Sequence, residues 1–294
     1  MTPKKAKAAL KDFAVFILTN GRPDRVHTFA TLRECGYTGR IFLLVDDLDK
    51  TRQQYIDRYG TAVVVFDKKA IAQTFDQGDN FNDMRAIIYA RNASFEVAKQ
   101  LGVKHFIELD DDYVDFAFRF DDQLDYYPPT LGIRSLDRVF AAMLAFFQTS
   151  GAHSIAMAQG GDFIGGSNSI LAARIALRRK CMNSFICSTE RPFQFVGRIN
   201  EDVNTYTRGA STGLLLFTVN QLALVQKQTQ SNAGGMTELY LDSGTYVKSF
   251  YSVMYMPSAV KVKVLNSSHA RLHHGVVWKN TTPLILDEAW KKKA

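Results

Sequence analysis

The chain has 294 residues, of which 46% are hydrophobic and 22% are charged, a composition typical of a globular protein with a sizeable core. It contains no apolar run long enough to span a bilayer and no N-terminal signal-peptide pattern, so we expect a cytoplasmic protein without a membrane partner. The net charge of +7 and the pI of about 9.2 favour an anionic partner, such as nucleic acid or a phosphate-bearing ligand.

The first half of the chain alternates between short apolar segments and amphipathic ones. Strands are predicted at 13–18, 40–45, 62–66 and 105–109, and helices at 24–36, 50–60 and 82–102. This alternation indicates βαβ units and a parallel sheet. The fold class is therefore α/β, with a Rossmann-related, mostly parallel sheet flanked by helices.

The second half has a mixed pattern. A helix is predicted at 135–151, and strands are predicted at 154–158, 184–188 and 260–265. We interpret the chain as a single domain, residues 1–294. Its nucleotide-binding half would cover 13–130, and a mixed α+β half for the acceptor would cover 131–290.

Polar residues follow three of the predicted strands. "TNGRPD" begins at Thr19, "DD" at Asp46 and "DDD" at Asp110. Ligands of such sheets bind beyond the carboxyl ends of the strands, so these segments should meet at one edge. Asp110 and Asp112 should point to the same side and suit a hard divalent cation shared with a diphosphate. The alternative is a solvated acidic loop or a set of helix caps.

Arg91 lies on the apolar face of the helix predicted at 82–102, four residues after Ile87 and four before Phe95. Arginine is almost never buried without a partner. The partner could be an aspartate of the neighbouring strand, which makes a structural ion pair, or a bound phosphate. Asn92 lies beside Arg91 on the same edge of the helix.

Two further motifs carry titratable groups. Glu201 and Asp202 fall at the start of a short predicted helix, where a carboxylate can cap the helix or act as a general base. His273 and His274 could supply an imidazole ligand to Mn²⁺ or could simply lie at the surface. As neighbours on an extended strand, the two rings should point in opposite directions.

The ordered motifs together resemble the phage TET-associated glycosyltransferase family, whose members have a GT-A-like fold. The motifs are "TNGRPDRV", "GDNFNDMRAIIYARN", "ELDDDY", "MNSFI", "GRINEDVNTY", "GGMTELY", "GTYVKSFYSVMYMPS" and "RLHHGVVW". The resemblance extends from about Phe13 to Ile285. It implies transfer of a sugar from a nucleotide sugar, such as a UDP-sugar, to 5-hydroxymethylcytosine in phage DNA, in the cytoplasm of the host.

The resemblance also implies roles for individual residues. The nucleoside would face Thr19, Asn20, Gly21, Arg22 and Asp46. The ribose or diphosphate would contact Arg91 and Asn92, and the donor would also contact Asp110 and Asp111. Mn²⁺ or Mg²⁺ would bind Asp110 and Asp112, with Asp112 favoured as the direct ligand and His273 or His274 completing the site. Asp202, beside Glu201, would be the general base of an inverting reaction.

Three alternatives remain open from the sequence. The first is a GT-A glycosyltransferase that acts on a glycan or protein rather than DNA. The second is a DNA-binding module that keeps the fold without catalysis. The third is a nucleotidyltransferase, which would release pyrophosphate instead of a nucleoside diphosphate.

Overall fold

The structure, a computed structural model, describes residues 1–79, 81–123, 125–163, 166–168, 175–176, 180–226, 247–266 and 270–281. Its helices are α1 (Pro3–Ala9), α2 (His27–Glu34), α3 (Arg52–Tyr59), α4 (Lys68–Ala72), α5 (Ile88–Gln100), α6 (Leu136–Ser150) and α7 (Glu201–Ser211). Residues 247–255 are also helical and are called helix 247–255. Short 3-10 turns occur at Gly60–Ala62, Gly160–Phe163, Gly166–Asn168 and Trp278–Asn280.

The strands are divided between one large sheet and one hairpin. They are β1 (Phe13–Leu18), β2 (Arg40–Asp46), β3 (Val63–Phe66), β4 (His105–Asp110), β5 (Tyr113–Phe120), β6 (Tyr126–Gly132), β7 (Ser154–Ala158), β8 (Ile175–Ala176), β9 (Ser184–Ser188), β10 (Leu216–Gln226), β11 (Val260–Asn266) and β12 (Ala270–Val276). The large sheet has the order β3-β2-β1-β4-β9-β7-β10-β5-β6, with β8 beside β10. Strands β11 and β12 pair only with each other among the described strands.

The first half of the chain forms the predicted parallel layer. β1 pairs in parallel with both β2 and β4, and β2 pairs in parallel with β3. In the second half, β9 is antiparallel to β4 and β7, whereas β7 and β10 are parallel. The architecture is therefore the predicted α/β sheet with a mixed second half. The assignment of separate roles to residues 13–130 and 131–290 remains a prediction.

The large sheet is buried on both faces, which explains why its central strands are continuous apolar runs. All six residues of β1 are buried, and alternate side chains enter different cores. Val15 and Ile17 join the core under α6, where the Phe13 and Phe140 rings lie 5.8 Å apart. Phe16 joins the core under α5 and stacks on Phe106 at 4.9 Å.

Some predicted boundaries were wrong. The helix predicted at 82–102 begins only at Ile88, because Asn82 has a left-handed backbone (φ 56°) and Asp83 Oδ1 accepts the Arg85 amide at 2.9 Å. Such local side-chain bonds compete with helix formation. The strands β5 and β6 were missed, since their residues alternate only weakly. β5 pairs with β10, which is distant in sequence, and β6 pairs with β5.

The carboxyl ends of β1, β2 and β4 meet at one edge, as expected. Leu18 at the end of β1 is level with Leu44 of β2 and with Asp110 of β4. The segments that follow these strands therefore begin side by side. We call this the carboxyl edge of the sheet.

Replacement of Gly36 by alanine tests the junction between α2 and α6. Gly36 has φ +83°, and an added Cβ would lie 2.6 Å from the backbone oxygen of Arg134. We expect Gly36→Ala to lower the free energy of unfolding by about 2 kcal/mol or more, measured by urea denaturation. Gly102 also has a positive φ (+63°), but a Cβ added there would have no atom within 4 Å. Gly102→Ala should therefore lower the free energy of unfolding by only about 1 kcal/mol, the cost of a left-handed backbone. Equal losses in the two variants would contradict the steric explanation.

Candidate active site

The loop after β1 is held by side chains from three other parts of the chain. The Thr19 hydroxyl donates to Asp111 Oδ2 at 2.6 Å and lies 2.8 Å from the Tyr55 hydroxyl. The Gly21 amide donates to Asp49 Oδ2 at 2.7 Å, and φ +68° at this position suits glycine. The loop is therefore fixed at the carboxyl edge, where the family resemblance implies a nucleoside site.

Asp46 lies at the same edge and is nearly buried. Its Oδ2 accepts hydrogen bonds from Asn20 Nδ2 at 2.7 Å and Lys68 Nζ at 3.1 Å. The sequence analysis missed Lys68, which also lies over the Tyr89 ring. In the sequence, Lys68 is simply a lysine at the start of a short helix. This pattern is too common to indicate that the residue belongs to a site.

The three consecutive aspartates have three different partners. Asp110 Oδ1 lies 3.2 Å from Arg91 Nη2, and Asp111 Oδ1 lies 2.9 Å from Arg22 Nη2. Both carboxylate oxygens of Asp112 accept hydrogen bonds from Gln226 Nε2, at 3.0 and 2.9 Å. Each carboxylate is thus directed to a different element. Gln226 at the end of β10 was not foreseen.

Asp111 has a supporting position beneath the loop after β1. It is 1% exposed, and burial raises its pKa to about 6 although Arg22 and the Thr19 hydroxyl act in the opposite direction. Asp111 holds the loop at the carboxyl edge. Direct contact between Asp111 and a nucleotide sugar remains a prediction.

Arg91 is at the centre of a buried ionic cluster. Its side chain is 1% exposed, and its three nitrogens face three carboxylates. Nε lies 3.1 Å from Glu201 Oε1, Nη1 lies 3.4 Å from Glu108 Oε2, and Nη2 lies 3.2 Å from Asp110 Oδ1. The inward position predicted from helical spacing is confirmed, and the contacts are those of a structural ion pair.

The cluster around Arg91 has more acidic groups than it has positive charge. Burial raises the pKa of Glu108 to about 8 and that of Asp110 to about 7, although Arg91 acts to lower both. Nearby carboxylates, including Asp112 and Glu201, raise the pKa of Asp110 further. Positive charge placed near Asp110 would act to lower the pKa of this carboxyl group, as Arg91 already does.

Asn92 connects α5 to the segment after β9. Its Nδ2 donates to the Phe195 backbone oxygen at 3.1 Å, and its Oδ1 accepts the Phe195 amide at 2.9 Å. Both polar atoms of the side chain are therefore engaged with the backbone of this segment. A contact between Asn92 and the donor remains a prediction.

Glu201 and Asp202 form the first turn of α7, directly after Asn200, whose backbone is left-handed (φ 56°). Asp202 Oδ1 accepts the Val203 amide at 2.7 Å, which is a contact with the helix N-terminus. Burial is the main cause that raises the pKa of both carboxyl groups. Asp202 thus accepts from an amide of the first helical turn, and Asn200, not Asp202, is the N-cap residue.

His273 and His274 lie on β12, opposite Lys263 and Val262 of β11. Their ring centroids are 4.3 Å apart, so the expectation that they point in opposite directions was wrong. Two-stranded ribbons are strongly twisted, which lets neighbouring side chains lean together. Burial lowers the pKa of His274 to about 4, and the charge of Lys248 contributes.

The metal site predicted from Asp110, Asp112 and a histidine remains a prediction. Among the residues that the structure describes, no three His, Cys, Asp or Glu side chains form a ready metal-binding group. Asp110 and Asp112 are close enough to influence each other electrostatically. Ligation by His273 or His274 remains a prediction.

These features define an α/β fold with an acidic site at the carboxyl edge of its large sheet. The family described as TET-Associated Glycosyltransferase matches residues 13–235. Because this match covers well over half of the chain, the protein belongs to that family and is a glycosyltransferase. A comparison with curated proteins gives no match.

Several solved structures resemble this fold at low sequence identity. The mannosyltransferase PcManGT from Pyrobaculum calidifontis, in complex with GDP-Man and Mn²⁺, has 11% identity and a TM-score of 0.44, with 87% of this chain and 81% of that chain covered. Glucosyl-3-phosphoglycerate synthase from Mycobacterium tuberculosis, in complex with Mn²⁺, UDP-Glc and phosphoglyceric acid, has 12% identity and a TM-score of 0.44, with 97% and 92% covered. S. aureus TarS 1-349 in complex with UDP has 10% identity and a TM-score of 0.43, with 72% and 59% covered. Family membership follows from the family match and not from these distant similarities.

In the described ranges, no helix combines the length and the apolar character needed to cross a membrane.

Replacement of Arg91 by methionine tests the ionic cluster. Without the guanidinium, buried carboxylates lose their counter-charge, and we expect Arg91→Met to lower the free energy of unfolding by about 3–5 kcal/mol at pH 8. The loss should shrink toward pH 5. The pKa values of Glu108 and Asp110 already lie above their ordinary range, and without Arg91 they rise further, so acid neutralises both groups in the folded protein.

The measurement is denaturant unfolding from pH 5 to pH 8. Arg25→Met is the control, because the Arg25 side chain is 38% exposed and lies 3.8 Å from the exposed carboxylate of Asp24. That variant should change stability by less than about 0.5 kcal/mol at every pH. If Arg91→Met loses the same free energy of unfolding at every pH, the loss does not come from unpaired charges on Glu108 and Asp110, and the explanation fails.

Proposed function

We propose that the protein transfers a sugar from a nucleoside diphosphate sugar, most simply a UDP-sugar, to the hydroxyl group of 5-hydroxymethylcytosine in DNA. The observation that carries the proposal is the ion-pair cluster of Arg91. It joins Asp110, at the carboxyl edge, to Glu201, beside the candidate base. Membership of a family named for its association with TET supports a hydroxymethylated base as the acceptor.

The donor nucleoside would lie against the loop after β1. Asn20 is exposed at this edge, and Arg22 keeps 22% of its side chain exposed while it pairs with Asp111. The backbone of the loop is already fixed by its contacts with Asp49 and Tyr55. Preorganised polar groups of this kind fix the orientation of a ligand at low entropic cost.

Asp110 and Asp112 are the residues that would hold a divalent cation, Mn²⁺ or Mg²⁺. Their carboxylate oxygens are the donors that such cations prefer. Burial, and after it the neighbouring carboxylates, raise the pKa of Asp110, and a bound cation would act in the opposite direction. When bound, the cation would supply positive charge to the diphosphate. Arg91 holds the Asp110 carboxylate in place, and either His273 or His274 is a candidate for a further ligand.

Asp202 would act as the general base. In this proposal its carboxylate accepts the proton of the hydroxymethyl group as that oxygen bonds to the anomeric carbon of the sugar. The bond from this carbon to the diphosphate oxygen breaks on the opposite face, so the anomeric configuration inverts. Burial keeps the pKa of Asp202 above its ordinary value, which brings a carboxylate closer to the basicity that the step needs.

The basic balance of the chain supports a polyanionic acceptor. With a net charge of +7, the protein should bind DNA partly through Lys and Arg contacts with phosphates. Such contacts release counterions, so affinity depends on salt. The hydroxymethylated base would also have to reach a site at the edge of the sheet, which favours extrusion from the stack.

The function is tested by incubating the protein with hydroxymethylated DNA, a panel of nucleotide sugars and Mn²⁺ or Mg²⁺. Digestion and mass spectrometry of the nucleosides should show 5-hydroxymethylcytosine heavier by one sugar. The yield should fall with rising salt and in excess chelator, and unmodified DNA is the control. Transfer to a glycan or protein but not to this DNA would contradict the proposed acceptor. Release of pyrophosphate would contradict glycosyl transfer.

Replacement of Asp202 by asparagine tests the base. Asparagine keeps the size of the side chain but does not take up the proton, so turnover should fall about a hundred- to ten-thousandfold. The KM of the donor should change little. Asp57→Asn, an exposed carboxylate on α3, is the control. Near-normal turnover in Asp202→Asn, or a product with the anomeric configuration of the donor by NMR, would contradict the assignment.

A further inference from the structure

Near its C-terminal end, the chain contains a long segment without negatively charged residues. Between Asp242 and Asp287 no aspartate or glutamate occurs, whereas the same segment has four lysines and one arginine. Strands β11 and β12 lie within this segment and pair with each other along their whole length. We call these two strands the ribbon. Its positive charge is not offset by any acidic residue of the ribbon itself.

The two faces of β11 differ in character. Val260 is buried and Val262 is half-buried, whereas Lys261 and Lys263 are exposed. Because successive side chains of a strand point to opposite faces, the two lysines share one face and the two valines share the other. Further along the strand, Val264 is 61% exposed, so the protein covers the apolar face only near the base of the ribbon.

The two lysines keep their charge on the exposed face. Neither ammonium group forms an ion pair with a carboxylate among the residues that the structure describes. The Lys263 side chain crosses the ribbon over Gly275, because a Cβ added at Gly275 would lie 2.6 Å from both Cδ and Cε of the lysine. Glycine thus leaves room for the lysine to lie along the ribbon, and its charge is available to a partner.

The base of the ribbon is fixed beside α7. The Val277 amide donates to the Ala259 backbone oxygen at 2.7 Å, which joins the ends of the two strands. The next residue, Trp278, stacks on Tyr206 of α7 with the ring centroids 5.6 Å apart. Tyr206 is four residues after Asp202 and therefore lies one turn further along the same side of the helix. The ribbon is thus attached about one helical turn from the candidate base.

We infer that the exposed face of the ribbon, with Lys261 and Lys263, binds the phosphate backbone of DNA next to the base that enters the site. The inference rests on the proposed function for DNA as the acceptor. Lysine binds phosphate as a compact point charge, and a surface without carboxylates does not repel a polyanion. Each strand of the ribbon has 7 residues and spans about 20 Å, the length of about six base pairs. Such contacts position the DNA without reading its sequence.

Binding of unmodified duplex DNA tests the inference without any sugar transfer. The double variant Lys261→Gln/Lys263→Gln should bind a duplex about tenfold or more weakly at about 0.1 M salt, because two phosphate contacts are lost. In a plot of log affinity against log salt concentration, its slope should be smaller by about two. Fluorescence anisotropy of a labelled duplex measures both quantities. Hydroxymethylated and unmodified duplexes should lose affinity by the same factor, since their phosphates are identical.

The matched control is Lys11→Gln/Lys104→Gln. It removes the same charge from two exposed lysines that precede β1 and β4, at the edge of the sheet opposite the carboxyl edge. Its affinity for DNA should stay within about twofold of the wild-type value, and Lys261→Arg/Lys263→Arg should also bind well because it keeps the charge. Wild-type affinity and salt slope in the glutamine variant of the ribbon, or an equal loss in the control, would overturn the inference.

Chemical acetylation of the wild-type protein gives a result that does not depend on the folding of a variant. Saturating duplex DNA should slow acetylation of Lys261 and Lys263 but not of Lys11 or Lys104, as followed by mass spectrometry of peptides. Sugar transfer to DNA with unprotected ribbon lysines would overturn the inference and leave the proposed function intact. Protected ribbon lysines without transfer to hydroxymethylated DNA would support the ribbon and contradict the proposed acceptor.

Discussion

The burial of one arginine among three carboxylates is the constraint on which the site depends. A buried guanidinium is costly unless it is fully paired, and a buried carboxylate is costly without a counter-charge. Glu108 and Asp110 come from β4, and Glu201 comes from α7, so Arg91 of α5 can satisfy all three only if these elements pack in one arrangement. The same contacts connect the carboxyl edge of the sheet to the turn that carries Asp202.

Three adjacent aspartates can coexist because the chain turns sharply between β4 and β5. Asp110 faces Arg91, Asp111 faces the loop after β1, and Asp112 faces Gln226. Each carboxylate has its own polar partner. These partners reduce the repulsion among the three negative charges, and all three carboxylates can remain at the carboxyl edge of the sheet. Burial still raises the pKa values of Asp110 and Asp111, which leaves the site suited to more positive charge. In the proposed function, a divalent cation bound with the nucleoside diphosphate would supply that charge.

Under the proposed function, the two halves of the chain would contribute different properties to the site. The parallel first half supplies a rigid edge, where Thr19, Asp46 and Asp110 follow neighbouring strands. The second half supplies α7 and helix 247–255, which are joined through Asn200. Groups that bind a donor need fixed positions, and groups that remove a proton need a controlled charge environment. In the proposed function, the strand ends of the first half would meet the first need, and the packing around α7 in the second half would meet the second.

The sequence by itself determined the local features, because these depend on neighbours along the chain. Apolar runs and helical periodicity predicted the parallel layer, the aspartates at its carboxyl edge and the inward position of Arg91 on α5. Only the tertiary structure decided the partners, since these are far apart in sequence. Arg91 is 110 residues from Glu201, and Asp112 is 114 residues from Gln226. The pairing of Lys68 with Asp46 escaped prediction for the same reason: the charge that a lysine neutralises depends on which elements pack beside it.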